Sequence, residues 1–196
     1  MTPLRLRLLT SCLPPSAFRP QSLAFRLKIA KDPPVNPTHL ETIFRSLNAA
    51  KVRYLVVGGL AVMAHGILRM TRDLDLVIAL DGDNPVRALT VFANLGYEPN
   101  VPVQLMDFAD PAKRRRWQVE KGMMVYQLIS PDLSDCPVDI FVEEPMAFSE
   151  MYPQRVDYEL AETVKIPVVG LEHLKQMKQA AGRPRDLLDL EELKHM

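Results

Sequence analysis

Val56-Val-Gly-Gly-Leu-Ala-Val-Met-Ala-His-Gly-Ile-Leu-Arg-Met-Thr-Arg-Asp-Leu-Asp-Leu-Val-Ile78 joins an apolar run to an acidic one through a glycine pair. Tyr54 to Gly58 reads as a buried strand. Gly58-Gly59 ends it and opens a short helix from Leu60 to His65, which Gly66 closes. Leu74 to Leu80 reads as a second strand. Side chains alternate along a strand, so Asp73 and Asp75 share one face while Leu74 and Leu76 enter the core. Two carboxylates held together repel unless a cation neutralises them. A hard, oxygen-preferring ion such as Mg²⁺ suits that pair. Gly58 and Gly59 leave bare backbone N–H groups at a helix start, where a phosphate could sit. Taken singly, an Asp-x-Asp pair also fits a solvent-facing strand end, and a Gly-Gly pair also fits a plain turn.

A third carboxylate strengthens the metal reading. Asp139 lies in Pro137-Val-Asp-Ile-Phe-Val142, an apolar run expected to form a central strand. A charge there is expensive unless it is paired or bound to a metal. If this strand adjoins the Asp73–Asp75 strand, three carboxylates converge, a set suited to two Mg²⁺ ions about 3.5–4 Å apart. Pairing of Asp139 with a nearby arginine is the alternative.

The flanking segments give a mixed pattern. Leu40, Ile43, Phe44 and Leu47 recur at helical spacing behind Thr38, a candidate cap. A turn at residues 81–84 leads into a helix ended by Gly96. Val101 to Met106 reads as a strand, Asp110-Pro111 as a helix start, and Met123 to Ile129 as a strand. Residues 156–160 and 164–169 read as a hairpin. Gly170 leads into a helix to Ala181, and Pro184 opens a last helix with Leu187, Leu188, Leu190 and Leu193 as its buried stripe. Strands and helices mix without strict βαβ alternation, so the expected class is α/β (α+β), a mixed sheet with helices packed on it and a C-terminal helical pair.

Composition narrows the function classes. The 196 residues, 47% hydrophobic and 24% charged, exclude a disordered chain, a collagen-like repeat and a disulfide scaffold. Cys12 and Cys136 are far apart, which fits a reducing compartment and a cytoplasmic protein. There is no run of about 18 apolar residues, so no membrane span is expected. Seven of the 17 prolines fall in residues 1–37. Residues 1–35 also hold six basic side chains and one acid, leaving 18 basic against 23 acidic in the remainder. Residues 1–36 therefore read as a disordered tail, a mis-assigned start or a targeting peptide, ahead of a single domain over 37–196. The mildly acidic body disfavours a broad nucleic-acid surface. Lys113-Arg-Arg-Arg116 beside Trp117 reads as a solvated helix face with Trp117 buried, or as a small contact for an RNA backbone. Met123, Met124 and Phe141 read as core, and His65 as a helix-end residue.

Gly58-Gly59, His65-Gly66, Arg69, Thr71, Asp73-Leu-Asp75 and the later Asp139 together resemble the nucleotidyltransferase superfamily signature. The local form is similar to the minimal bacterial nucleotidyltransferases, including the abortive-infection toxins of type IV toxin–antitoxin systems. Lys178, Arg183 and Arg185-Asp186-Leu-Leu-Asp189 resemble that group's closing basic-acidic helix motif. The resemblance covers about residues 38–195. The family commonly has Gly-Ser where this chain has Gly58-Gly59, which loses a hydroxyl contact to the triphosphate.

The resemblance implies the nucleotidyltransferase fold and an Mg²⁺-dependent enzyme that moves an NMP from an NTP, such as ATP, to a hydroxyl acceptor. Asp73, Asp75 and Asp139 would hold the metals, with Asp139 helping to deprotonate the acceptor. Gly58, Gly59, Arg69, Thr71, Lys178 and Arg185 would bind the nucleotide phosphates. For Lys178 and Arg185 a solvated helix face is the other reading, and Asp186 is expected to pair with a basic residue. The acceptor would be an RNA end such as that of tRNA, or a protein side chain, with a cognate antitoxin as a further partner. A small-molecule acceptor such as an aminoglycoside fits less well, because no second substrate domain is evident. A catalytically silent binding module of the same fold is the competing hypothesis.

Overall fold

The computed structural model describes residues 35–161 and 164–196. The expected tail lies, through residue 34, outside the described residues. Val35 is already buried in the core. Helix α1, Pro37–Ala49, buries Leu40, Ile43, Phe44 and Leu47 as their spacing requires. Its cap is Asn36, whose side chain accepts from the Thr38 N–H at 3.0 Å, rather than Thr38. Pro37 explains the shift: it takes the first helical position, where its missing N–H costs nothing, and so moves the cap one residue earlier.

The elements that follow are β1 (Tyr54–Val56), α2 (Gly58–Ala64), β2 (Leu74–Ile78), α3 (Asn84–Asn94) and β3 (Glu98–Pro99). Next come α4 (Pro111–Lys121), β4 (Val125–Ile129), β5 (Val138–Phe141), α5 (Phe148–Met151), β6 (Val156–Ala161) and β7 (Val164–Val168). The C-terminal pair is α6 (Leu171–Ala181) and α7 (Pro184–Leu193). The seven strands form one sheet in the order β3-β4-β5-β2-β1-β7-β6. β2 runs parallel to β5 and β1 parallel to β7, while the other pairs are antiparallel. The expected mixed sheet is therefore present. The strand expected over Val101 to Met106 is not: that segment is irregular and leads into a 3₁₀ helix, Leu105–Ala109. Its buried anchor is Phe108, which stacks on Tyr126 at 5.2 Å between ring centroids.

Alternation positions the site. On β2, β4 and β5 the buried members are Leu74, Leu76, Val77, Ile78, Tyr126, Leu128, Val138 and Ile140. Asp75, Gln127 and Asp139 occupy the intervening half-buried positions. One sheet face thus supplies core, and the opposite face, on which Val77 is also buried, presents the polar row of Asp75, Asp139 and Gln127. Two core expectations fail: Met124 is exposed, and Phe141 is only half-buried. Met124 stands just before β4, outside the sheet, and Phe141, the last residue of β5, packs against the edge of the core.

The last helix turns the other way from its leucine pattern. Leu187 and Leu188 are 51% and 68% exposed, and the buried residues of α7 are Asp186, Asp189 and Leu193. The spacing i, i+3, i+7 is still one helical stripe, but two of its three inward members are carboxylates, and of the expected leucines only Leu193 is fully buried. They pair with buried Lys178 on α6 and half-buried Arg69 on the loop before β2.

Candidate active site

Asp75 and Asp139 are direct register partners across the parallel β2–β5 pair. Asp73 sits just before β2. The expected adjacency of the two acidic strands therefore holds. None of the ion pairs among the described residues involves Asp73, Asp75 or Asp139. Burial raises the Asp75 carboxyl, the neighbouring Asp139 raises it further, and it reaches about 6. A hydrogen bond from the Gly59 N–H, at 3.4 Å, opposes the rise. Burial likewise raises Asp139, against the hydrogen bond that Gln127 donates to it. As they stand, no three His, Cys, Asp or Glu side chains among the described residues form a closed metal cage. Adjacent carboxylates that belong to no ion pair among the described residues nevertheless fit a divalent ion by donor chemistry: oxygen ligands whose mutual repulsion such an ion relieves.

The glycine pair is fitted against this centre. Gly58 has φ +60°, in the left-handed region, and a Cβ there would run into the Asp75 carboxylate. A Cβ on Gly59 would lie 2.8 Å from Thr71 Cβ and overlap the Thr71 hydroxyl. Backbone and carboxylate can approach this closely only because both residues lack a side chain. Thr71 is buried, and its hydroxyl donates to the Asp73 carbonyl at 3.3 Å. It therefore shapes the turn that delivers Asp73.

A second ionic group stands beside the centre. Lys178 on α6, 7% exposed, donates to Asp186 at 2.7 Å and pairs with Asp189 at 2.8 Å. Arg69, on the loop before β2, pairs with the same Asp189 oxygen. Burial lowers the Arg69 pKa, and Asp189 opposes that. Arg185 donates to the Met70 carbonyl of the same loop. The expectation that Asp186 pairs with a base is thus met. The solvated-face reading of Lys178 is excluded, because its ammonium lies between two carboxylates.

Of the remaining candidates, His65 caps the C-terminal end of α2, and its Nε2 lies 2.8 Å from the Val169 carbonyl. Trp117 is buried as expected. Arg114 departs from the solvated-face reading: it is buried, donates to the Phe108 carbonyl at 2.6 Å and lies over the Phe108 ring. Sequence reasoning passed over Gln127, whose Nε2 donates to Asp139 Oδ1 at 3.0 Å. The signal was available: Val125, Gln127 and Ile129 are one alternating face of an otherwise apolar strand.

No family model matches the chain, and neither does any curated protein. Solved structures do. The lincosamide antibiotic adenylyltransferase LnuA, crystallised with lincomycin bound, aligns with a TM-score of 0.55 at 18% identity, over 82% of this chain and 97% of that one. The antibiotic-resistance factor ANT(2'')-Ia gives 0.51 at 11% identity, over 80% and 81%. An antigenic nucleotidyltransferase-like protein from Paracoccidioides brasiliensis gives 0.50 at 18% identity, over 80% and 74%. The chain has the nucleotidyltransferase fold.

Proposed function

We propose that this protein is an Mg²⁺-dependent nucleotidyltransferase that moves an NMP from an NTP to a hydroxyl acceptor. The observation that carries the reading is the register pairing of Asp75 with Asp139 on parallel strands, with Gly58 and Gly59 held against Asp75. Asp73, Asp75 and Asp139 are the residues that would hold the metal. When bound, the metal would supply charge stabilisation for the α-phosphorus under attack and for the departing pyrophosphate.

The chain's own groups divide the remaining work. Gly58 and Gly59 let the triphosphate approach the backbone. Asp139, whose carboxyl is raised by burial, accepts the proton of the acceptor hydroxyl. Arg69 and Thr71 lie beside Gly59 on the loop before β2, where they would contact the phosphates, and Arg185 tethers that loop through Met70. Lys178 reaches the phosphates only if it exchanges one of its two carboxylate partners, so its first role is to brace α6 against α7.

The resemblance of the glycine–aspartate run to abortive-infection toxins supports an RNA end or a protein side chain as acceptor. It also supports a role as the cytoplasmic modifying component of a toxin–antitoxin pair. Among the described residues no helix is long and apolar enough to cross a membrane. The test is incubation with each labelled NTP and Mg²⁺ in the presence of total RNA, total protein, or a small hydroxylated antibiotic. Transfer of label, abolished by Asp139→Asn, is the expected result, and its destination identifies the acceptor. Absence of transfer together with absence of Mg²⁺-dependent NTP binding would leave a silent module of the same fold.

A further inference from the structure

Four polar residues lie in one row across four neighbouring segments of the sheet. Asp75 on β2 is in register with Asp139 on β5, and Asp139 is in register with Gln127 on β4. Asn100 follows β3, and its backbone N–H donates to the Gln127 carbonyl at 2.9 Å, which fixes it beside that residue. The side chains continue the row: Asn100 Nδ2 donates to Gln127 Oε1 at 2.7 Å, and Gln127 Nε2 donates to Asp139 Oδ1 at 3.0 Å.

The direction of this relay is forced from one end. An ionised carboxylate only accepts, so Gln127 must turn its NH₂ toward Asp139. Its carbonyl then points to Asn100, which must present its own NH₂ in return. Each amide has one orientation that satisfies both neighbours.

We infer that Asn100 and Gln127 are positioning residues, which hold Asp139 Oδ1 so that the other carboxylate oxygen is presented to the metal and the acceptor. The inference rests on the proposed reading of Asp139 as a ligand. Partners of a ligating side chain characteristically orient it, and their loss weakens metal binding about 10–100-fold.

The test uses the full chain and Mn²⁺ alone, titrated and followed by the electron paramagnetic resonance signal of the free ion. Gln127→Met removes the donor at similar volume and should weaken Mn²⁺ binding about tenfold. Asn100→Asp should weaken it as well. A carboxylate at 100 accepts only, so it reverses the Gln127 amide and turns a carbonyl oxygen toward Asp139. By simple charge attraction the same substitution would tighten a cation, so the two accounts predict opposite signs. The double variant should bind as Gln127→Met does and no worse, because no amide remains to reverse. Asn100 is exposed, so Asn100→Asp stays informative even if Gln127→Met unfolds. Binding by Asn100→Asp as tight as wild type, or tighter, overturns the inference. Asp139→Asn separates the two levels: if it leaves Mn²⁺ affinity unchanged, the metal centre itself is wrong and the relay falls with it. If it destroys binding while both relay variants bind normally, only the relay is wrong.

Discussion

Two groups of carboxylates stand side by side in this molecule and are treated in opposite ways. Asp186 and Asp189 face Lys178 and Arg69, two negative charges against two positive ones, all largely buried. Asp75 and Asp139 are register neighbours that belong to no ion pair among the described residues, and Lys178 and Arg183 act on them only through space. A balanced buried network braces the chain. An unbalanced pair keeps an unfavourable charge that an outside cation can relieve. The same residue type thus marks a brace in one place and a binding centre in the other, and only the location of lysine and arginine separates them.

The largest effect should come from unbalancing the brace. Lys178→Ala leaves two buried carboxylates without their shared cation and should cost about 3–5 kcal/mol, read by urea unfolding. A loss below about 1 kcal/mol would mean that the network is solvent-screened and that the contrast fails. Next in size is Asp75→Asn, which should reduce Mg²⁺-dependent transfer more than about 100-fold, beyond the usual effect of an outer-shell change.

The same substitution should act on the metal-free protein in the other direction. The folded chain holds the Asp75 proton up to about pH 6, whereas the unfolded chain releases it near the ordinary 3.8. Folded protein therefore binds more protons in that window, and stability falls as pH rises through it. Asp75→Asn should flatten that slope and raise metal-free stability above pH 6 by about 1–3 kcal/mol. Thermal unfolding at pH 4.5 and 7.5, with a chelator present, measures both effects.

Gly59→Ala should come third. Its methyl meets Thr71, and overpacking of this kind costs about 1–3 kcal/mol. Gly59→Ala combined with Thr71→Ala removes the hydroxyl that the methyl would overlap, so partial recovery of the thermal midpoint would locate the clash. The smallest effect is expected from Leu188→Ser, on the outer face of the last helix, within about 0.5 kcal/mol. A larger loss would restore the leucine stripe to the core and reverse the assignment of the inward face.

The sheet and most helices could be read in the sequence because Val138–Phe141 alternates cleanly and Leu74–Ile78 is buried but for Asp75. The pairing of Asp75 with Asp139 was legible as the expected adjacency of their two strands, whereas Asp73 lies in the bend before β2 and outside its alternation. The last helix was not legible. Its leucines give the stronger hydrophobic pattern, and the inward turn of Asp186 and Asp189 depends on Lys178 and on Arg69, 120 residues before Asp189. Ionic partners so distant leave no local periodicity. Gln127 was hidden differently: one polar residue in an apolar strand gains meaning only when its register partner is known to be Asp139.

The position of β7 also bears on how the protein is made. β1 lies in the middle of the sheet, flanked by β2 and by β7, and the Val169 N–H donates to the Val56 carbonyl at 3.0 Å. More than 100 residues separate β1 from that partner. On the ribosome, an apolar strand with one unsatisfied edge must therefore wait until nearly the whole domain has been synthesised. A nascent chain stalled before Val164 would expose Tyr54–Val56 as an open edge, a natural substrate for chaperones and a site for mispairing between neighbouring polysomes. Pulse proteolysis of stalled chains of increasing length should show protection of β1 arriving late and in one step, after β7 has cleared the exit tunnel.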